Sequence, residues 1–301
     1  MIFDSHIHMY TELYAGKQDA PENFLKKCQA ANIGGGCIFS IPPANDLSYY
    51  GTTPPTNKER THAVLDFCEK LPDTFCPFYW IDPTEPDAEE QVQYAAEQGI
   101  RGFKVICGNH YPEEGLKTYA KCAEVGLPVT FHSGILWDGK VSSFYNRPLS
   151  FECLLSVKKL RFALAHISWP WTSECIALFG KFNAAQQYYG NAPEMYIDCS
   201  PGAPEFDREE AFKKIGLGTY GLGSRIMYGS DMNTNNFNSD FAKETYEFDQ
   251  EKFEHLHSIY SDPVQVKRDL KFLRNGRETI DFRDIFHKMT KENYKSFIRK
   301  G

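Results

Sequence analysis

IFDSHIH (residues 2–8) is an apolar run that carries one acid and two histidines at even spacing. Side chains on a β-strand alternate between faces. Asp4, His6 and His8 therefore share one face, and the two imidazoles stand one step apart along the strand. Two ring nitrogens so placed can grip a single cation. The run is also the first of eight short β-rich segments. The others are GGCIFSI (35–41), FCPFYWI (75–81), GFKVICG (102–108), PVTFHSG (128–134), RFALAHI (161–167), MYIDCS (195–200) and RIMYGSD (225–231). Helix-forming stretches separate them. DAEEQVQYAAEQG (87–99) offers Asp87 as an N-cap, acids in its first turn and Gly99 as a C-cap. EEGLKTYAKCAEVG (113–126) has apolar residues at helical spacing and closes on Gly126.

Strands that are apolar on both faces and alternate with helices imply a parallel sheet. Eight such units imply an α/β fold of the closed (β/α)8 TIM-barrel type. A doubly wound open sheet would call for G-x-G-x-x-G after the first strand, and the chain has none there. The 301 residues fit one barrel domain over 1–301, since no linker rich in Pro, Gly or Ser divides them. The charged, mostly helical stretch after residue 231, including DPVQVKRDLKFLRN (262–275), is expected to give the last barrel helix and a helical C-terminal extension, part of it a lid.

A net charge of −7 disfavours nucleic acid or an anionic membrane surface as partner, because both reward clustered Lys and Arg. A small-molecule substrate is expected instead. No apolar stretch reaches the roughly 18 residues of a membrane span. The start, MIFDSHIH, lacks the basic region of a signal peptide. The nine cysteines contain no C-x-x-C pair, and several lie inside apolar runs. Buried thiols in a reducing cytoplasm are the expectation. A homodimer is compatible with such a barrel, but nothing in the sequence fixes an interface.

In barrels of this kind reactive groups gather at the C-terminal ends of the strands. The first run ends in His6 and His8, the fourth carries Lys104, the fifth ends in His132, the sixth in His166 and the eighth in Asp231. Any one of these histidines alone reads as a hydrogen-bonded core residue. Equivalent positions in separate units have no such explanation. Two imidazoles from one strand, a third from across the barrel and a carboxylate make an N/O shell suited to Zn²⁺ and tolerable for Mn²⁺, Fe²⁺ or Ni²⁺. Strand parity puts Gly102, Lys104 and Ile106 on one face, so Lys104 can point inward.

FDSHIH, VTFHSG, LAHISWP and RIMYGSDM, in this order, resemble the amidohydrolase superfamily of metal-dependent hydrolases. The match is to its amidohydrolase-related branch, which also holds aminocarboxymuconate-semialdehyde-type decarboxylases. The resemblance runs on to ENYKSF (292–297), similar to that branch's closing helix. It implies that His6, His8, His132 and Asp231 are the ligands of one divalent metal, zinc first, and that Asp231 and His166 are catalytic. Binuclear relatives bridge two metals with a carboxylated lysine on the fourth strand. Here Lys104 stands in a GFKVI setting also found in mononuclear members, so a second metal is not expected.

The implied chemistry is hydrolysis of a small-molecule ester, lactone or amide by a metal-activated water. Asp231 would move the proton and His166 would polarise the carbonyl. The same residues would serve non-oxidative decarboxylation of an unsaturated or aromatic acid. A non-catalytic barrel that binds metal or a metabolite is the alternative of another class. A TatD-type nuclease would want an acid where Lys104 stands. Loops after strands four, five and six offer His110, Arg147, Trp169 and Trp171 as pocket walls. Arg147 or Lys104 could hold a carboxylate; for Arg147 loop packing is the plainer role, and for Trp169 and Trp171 pocket wall and loop packing stand equal. Asp4, one step deeper than His6, suits a supporting hydrogen bond better than ligation. His62, His255, His257 and His287 fall in helical segments and are expected to be structural.

Overall fold

All eight expected strands form in the computed structural model, which describes residues 1–49, 51–218, 220–271 and 276–299. They are β1 (Ile2–His8), β2 (Ile33–Phe39), β3 (Phe75–Trp80), β4 (Gly102–Val105), β5 (Val129–Phe131), β6 (Arg161–Leu164), β7 (Glu194–Asp198) and β8 (Ile226–Met227). A short ninth strand, β9 (Met232–Asn233), was not expected. All pair in parallel, in the order β8-β7-β6-β5-β4-β3-β2-β1-β9.

The ninth strand shows how the barrel closes. β8 pairs with β7, whereas β9 pairs with the end of β1 through Ile7–Met232 and His8–Asn233. Between the two pieces, the backbone N and the hydroxyl of Ser5 both donate to the Tyr228 carbonyl at 2.8 Å. The Asp231 N–H donates to the His6 carbonyl at 3.0 Å. The last strand of the TIM barrel is thus stitched to the first along a break, and the break carries Asp231.

Strand parity sorts the core. Ile38, Tyr79 and Phe162 pack outward in the main hydrophobic cluster under the helices. Their alternate neighbours Cys37, Phe39, Cys76, Phe78 and Ala163 pack inward with Tyr196 and Met227. That split is why the strands read as apolar throughout. Helices Pro21–Ala30, Asn57–Glu69, Ala88–Gln98, Leu116–Glu124, Thr172–Tyr189 and Glu205–Leu217 fill the crossovers, and a 3₁₀ helix, Pro148–Ser156, serves between β5 and β6. Ala88–Gln98 ends on Gly99 in the left-handed conformation, as its sequence signals, whereas Asp87 at its start makes no side-chain capping bond. All nine cysteines are free thiols and eight are buried. No helix among the described residues is long and apolar enough to cross a membrane.

The helix Asn293–Phe297 closes the end of the barrel opposite the strand tips. Tyr294 and Phe297 belong to the inner cluster, the Tyr294 hydroxyl donates to the Thr74 carbonyl just before β3, and Arg161 Nε at the start of β6 donates to the Phe297 carbonyl. Asn293 ties the segment to β8 through the Gly223 and Ile226 carbonyls. Tyr294 and Phe297 are large and apolar, and the open lower end of the barrel is where burying them removes most surface from water. Of the 262–275 stretch, Pro263–Asp269 is helical, and residues 272–275 lie outside the described residues.

Outside the barrel, Arg208 on Glu205–Leu217 and Asp249 on Ser239–Tyr260 form a buried two-pronged ion pair at 2.7 and 2.6 Å. Arg208 also donates to the Cys199 carbonyl at 2.9 Å, fixing the chain just past β7. Removing either partner strands a buried charge. Arg208→Ala or Asp249→Ala is expected to lower unfolding stability by about 3–5 kcal/mol, read from urea midpoints; a loss under 1 kcal/mol would contradict this role for the pair.

Candidate metal centre and active site

β1 delivers His6 and His8 to the barrel mouth with their ring nitrogens converging. His6 Nε2 lies 3.1 Å from His8 Nε2, and Asp231 Oδ1 lies 3.3 Å from both. These three donor atoms group as a candidate metal-binding cluster. In a tetrahedral shell, ligands about 2.0–2.1 Å from the ion stand about 3.3 Å apart. The triangle has that size, and its donor set of two imidazoles and a carboxylate fits zinc or a neighbouring divalent metal.

The surroundings orient His6. Its Nδ1 donates to Asp198 Oδ2 at 2.5 Å, which leaves Nε2 as the lone pair turned to the triangle. Asp198 ends β7 and is fully buried; its other oxygen accepts the Ser200 N–H at 2.6 Å. Gly229 is required beside them: a Cβ there would meet His6 Cβ at 2.8 Å and Ser200 Cβ at 3.0 Å. Asp4 takes the supporting role, with a twist. It accepts backbone N–H groups from His6 (3.0 Å) and Ser230 (2.9 Å), bracing the β1–β8 seam instead of an imidazole. Burial pushes its carboxyl up to about 7 against those hydrogen bonds.

Lys104, fully buried on β4, brings Nζ to 3.3 Å from His6 Nε2 and 4.9 Å from the Phe39 ring centre. Burial pushes its ammonium down to about 8, against the pull of Asp198 and Asp231. Burial likewise holds His6, His8 and His132 below the ordinary imidazole range, and the Lys104 charge adds to this. Neutral imidazole is the form that ligates. Asp231 is 34% exposed at the cavity floor. Burial raises its carboxyl, but His6, His166 and His8 outweigh that and hold it ionised below the usual carboxylate range.

His166 follows β6 in a tight left-handed turn: His166, Ile167 and Ser168 have φ of 59°, 51° and 53°. Non-glycine residues seldom adopt this conformation, and a run of them marks a backbone held by its surroundings. His166 Nδ1 donates to the Pro201 carbonyl at 2.8 Å and lies 2.9 Å from Ser200 Oγ. A Cβ on Gly202 would come within 2.7 Å of His166 Cβ, so the close approach needs glycine. The His166 ring stands 4.9 Å from both the His6 and His132 rings.

His132, the expected fourth ligand, lines the same cavity but lies outside the tight trio, its Nε2 3.3 Å from the Ile135 carbonyl. The cavity holds about 450 Å³ and also takes in Lys104, His110, His166 and Trp169. Trp169 additionally donates Nε1 to Asp207 at 2.8 Å. Arg147 is corrected: it does not line the cavity. Its guanidinium is half-exposed and grips Glu174 at 2.8–3.1 Å, because a carboxylate across the loop meets its fork geometry. Trp171 packs near that pair, outside the cavity. His62, His255, His257 and His287 lie on outer helices.

The sequence reading missed Asp198 and Ser200. The signal was present, since MYIDCS carries an acid, Asp198, near its end, as RIMYGSD does at its own. An acid at a strand tip reads as a ligand or as nothing; its use as partner to an imidazole from another strand is visible only in space.

A family profile described as amidohydrolase matches residues 38–255. No curated protein matches the chain. Solved structures similar to it include a candidate 2-pyrone-4,6-dicarboxylic acid hydrolase from Pseudomonas putida, with TM-score 0.58, 16% identity and coverage of 99% of this chain and 97% of that one. A 5-carboxyvanillate decarboxylase from Sphingomonas paucimobilis gives 0.55 and 9% identity over 100% and 99%. The IDCase of Metarhizium anisopliae gives 0.54 and 14% identity over 99% and 97%. At these identities the likeness is one of fold.

Proposed function

The chain belongs to the amidohydrolase family, a family of enzymes, and on that premise we propose that it hydrolyses the ester, lactone or amide bond of a small molecule with one divalent cation, zinc first. His6, His8 and Asp231 would hold the cation, with His132 completing the shell. The observation that carries this reading is the His6–His8–Asp231 triangle of 3.1–3.3 Å at the floor of an open cavity.

A divalent cation bound there supplies Lewis acidity, lowering the pKa of a water from about 15.7 toward about 7. The rest falls to the chain. Asp231, ionised and partly exposed, takes the proton of the attacking water and delivers it to the leaving oxygen or nitrogen. His166 has Nδ1 committed to Pro201, so its Nε2 faces the reaction and donates to a developing oxyanion when the ring is protonated. Lys104 adds fixed positive charge at the floor, and Asp198 keeps His6 in one tautomer.

The same residues would serve decarboxylation of an unsaturated or aromatic acid, so the test is a split assay on zinc-loaded protein. One arm follows acid release from esters, lactones and amides; the other follows carbon dioxide from enoic and aromatic acids. Turnover in the first arm is expected. Carbon dioxide release with no hydrolysis moves the assignment to a carboxy-lyase. Stoichiometric metal with turnover in neither arm leaves a metal- or metabolite-binding barrel.

A further inference from the structure

The cavity has two ends of different character. Its floor holds the trio and the buried Lys104. Its wall carries Asp46, Asp82, His110, Tyr10 and Trp80. Tyr10 stacks on His8 with ring centres 5.2 Å apart, and Trp80 stands 5.4 Å from His8 and 6.3 Å from Tyr10, so two aromatic rings border the floor on this side.

Asp82 follows β3 and is 8% exposed. Its Oδ1 accepts from the backbone N and hydroxyl of Thr84 at 3.0 and 2.7 Å, while Oδ2 takes only the Asn45 amide at 3.3 Å. His110 is 4% exposed. Its Nδ1 donates to Asn109 Oδ1 at 3.1 Å, which leaves Nε2 as the acceptor of a neutral ring, and that atom has no partner. Buried acceptors normally find a donor. A ligand that brings one recovers the cost of its absence.

Of the cations that line the cavity, Lys104, beside Trp80 on the neighbouring strand, is committed to the floor against His6, and Lys140 is exposed in the loop after β5. Arg147, with Lys104 a candidate grip for a substrate carboxylate, is bound to Glu174 outside. The wall therefore offers carboxylates, an imidazole lone pair and aromatic faces. We propose that it binds a protonated amine, so that the bond cleaved at the floor belongs to an amine-bearing ester, lactone or amide. This deepens the hydrolase reading and rests on it. An ammonium brings three donors and no acceptor. Its charge is favoured over aromatic rings and beside carboxylates, whereas a substrate carboxylate there would face Asp46 and Asp82.

The test is binding, measured by titration calorimetry on the zinc-loaded protein at neutral pH, with two probes of one frame: phenethylammonium and 2-phenylethanol. The ammonium is expected to bind about tenfold more tightly and to lose that advantage as salt rises. Asp82→Asn keeps the contact to Thr84 and removes the charge; His110→Phe removes the acceptor and keeps the ring. Each is expected to bring the ammonium-to-alcohol ratio toward one, with circular dichroism confirming the fold, and Asp46→Asn serves if either fails to fold. An alcohol that binds as tightly as the ammonium, no binding of either probe, or a ratio that survives in the folded variants overturns the proposal. Because the readout is not turnover, a protein that binds the ammonium yet hydrolyses nothing retains this subsite and loses the hydrolase reading.

Discussion

Asp231→Asn is expected to cut kcat/KM for the hydrolysed substrate by at least about 10²–10⁴, the range associated with loss of a positioned acid–base group, with loss of a metal ligand adding to it. The fold should survive. Asp231 sits at φ 57°, a conformation asparagine tolerates. The bond from its backbone N–H to the His6 carbonyl does not depend on the side chain. What changes is the charge beside two neutral imidazoles and the group that moves the proton. His6→Ala should also abolish turnover but is the less clean variant. It leaves the buried Asp198 carboxylate without its Nδ1–H partner, at about 1–3 kcal/mol of stability. Steady-state kinetics together with thermal melts separate the two. An Asp231→Asn protein with wild-type kcat/KM would end the assignment of Asp231, and with it the reading of the trio as a catalytic centre.

The parts of this site that the sequence exposes are those governed by strand periodicity. His6 and His8 lie on one face because the side-chain period is two, and the strand-end rule then picks out Lys104, His132, His166 and Asp231 one by one. All of them line one cavity. The barrel was legible for the same reason, its strands being apolar on both faces and separated by capped helices. What stayed hidden depends on partners distant in the chain. Asp198 serves His6 across 192 residues. Arg147 found Glu174 at the start of the helix after β6 instead of the cavity. The break between β8 and β9 was invisible because two-residue strands carry no periodic signal. The C-terminal extension was expected to be helical, part of it a lid, and its last helix covers the end of the barrel opposite the mouth: helical spacing shows that a segment has an apolar face, not which end of a barrel that face covers.

Metal removal tests whether the trio is a working centre or a polar cluster that merely resembles one. Protein treated with a chelator and passed into metal-free buffer is expected to lose turnover to background and to regain it on addition of about one equivalent of Zn²⁺. Holo protein should also melt higher than apo protein, since a ligand that binds only the folded state stabilises it by about 4 kcal/mol at 1,000 times its Kd. Asp198→Asn sharpens the test. The wild-type carboxylate accepts both His6 Nδ1–H and the Ser200 N–H. An asparagine offers one acceptor oxygen for the two and no charge to raise the basicity of His6. Metal affinity should therefore fall by about 10–100-fold, while saturating metal restores much of the turnover. A structural cluster behaves otherwise: chelation leaves activity intact, and Asp198→Asn lowers the melting temperature without moving the metal titration. Activity that persists in demonstrably metal-free protein excludes metal-assisted hydrolysis at His6, His8 and Asp231.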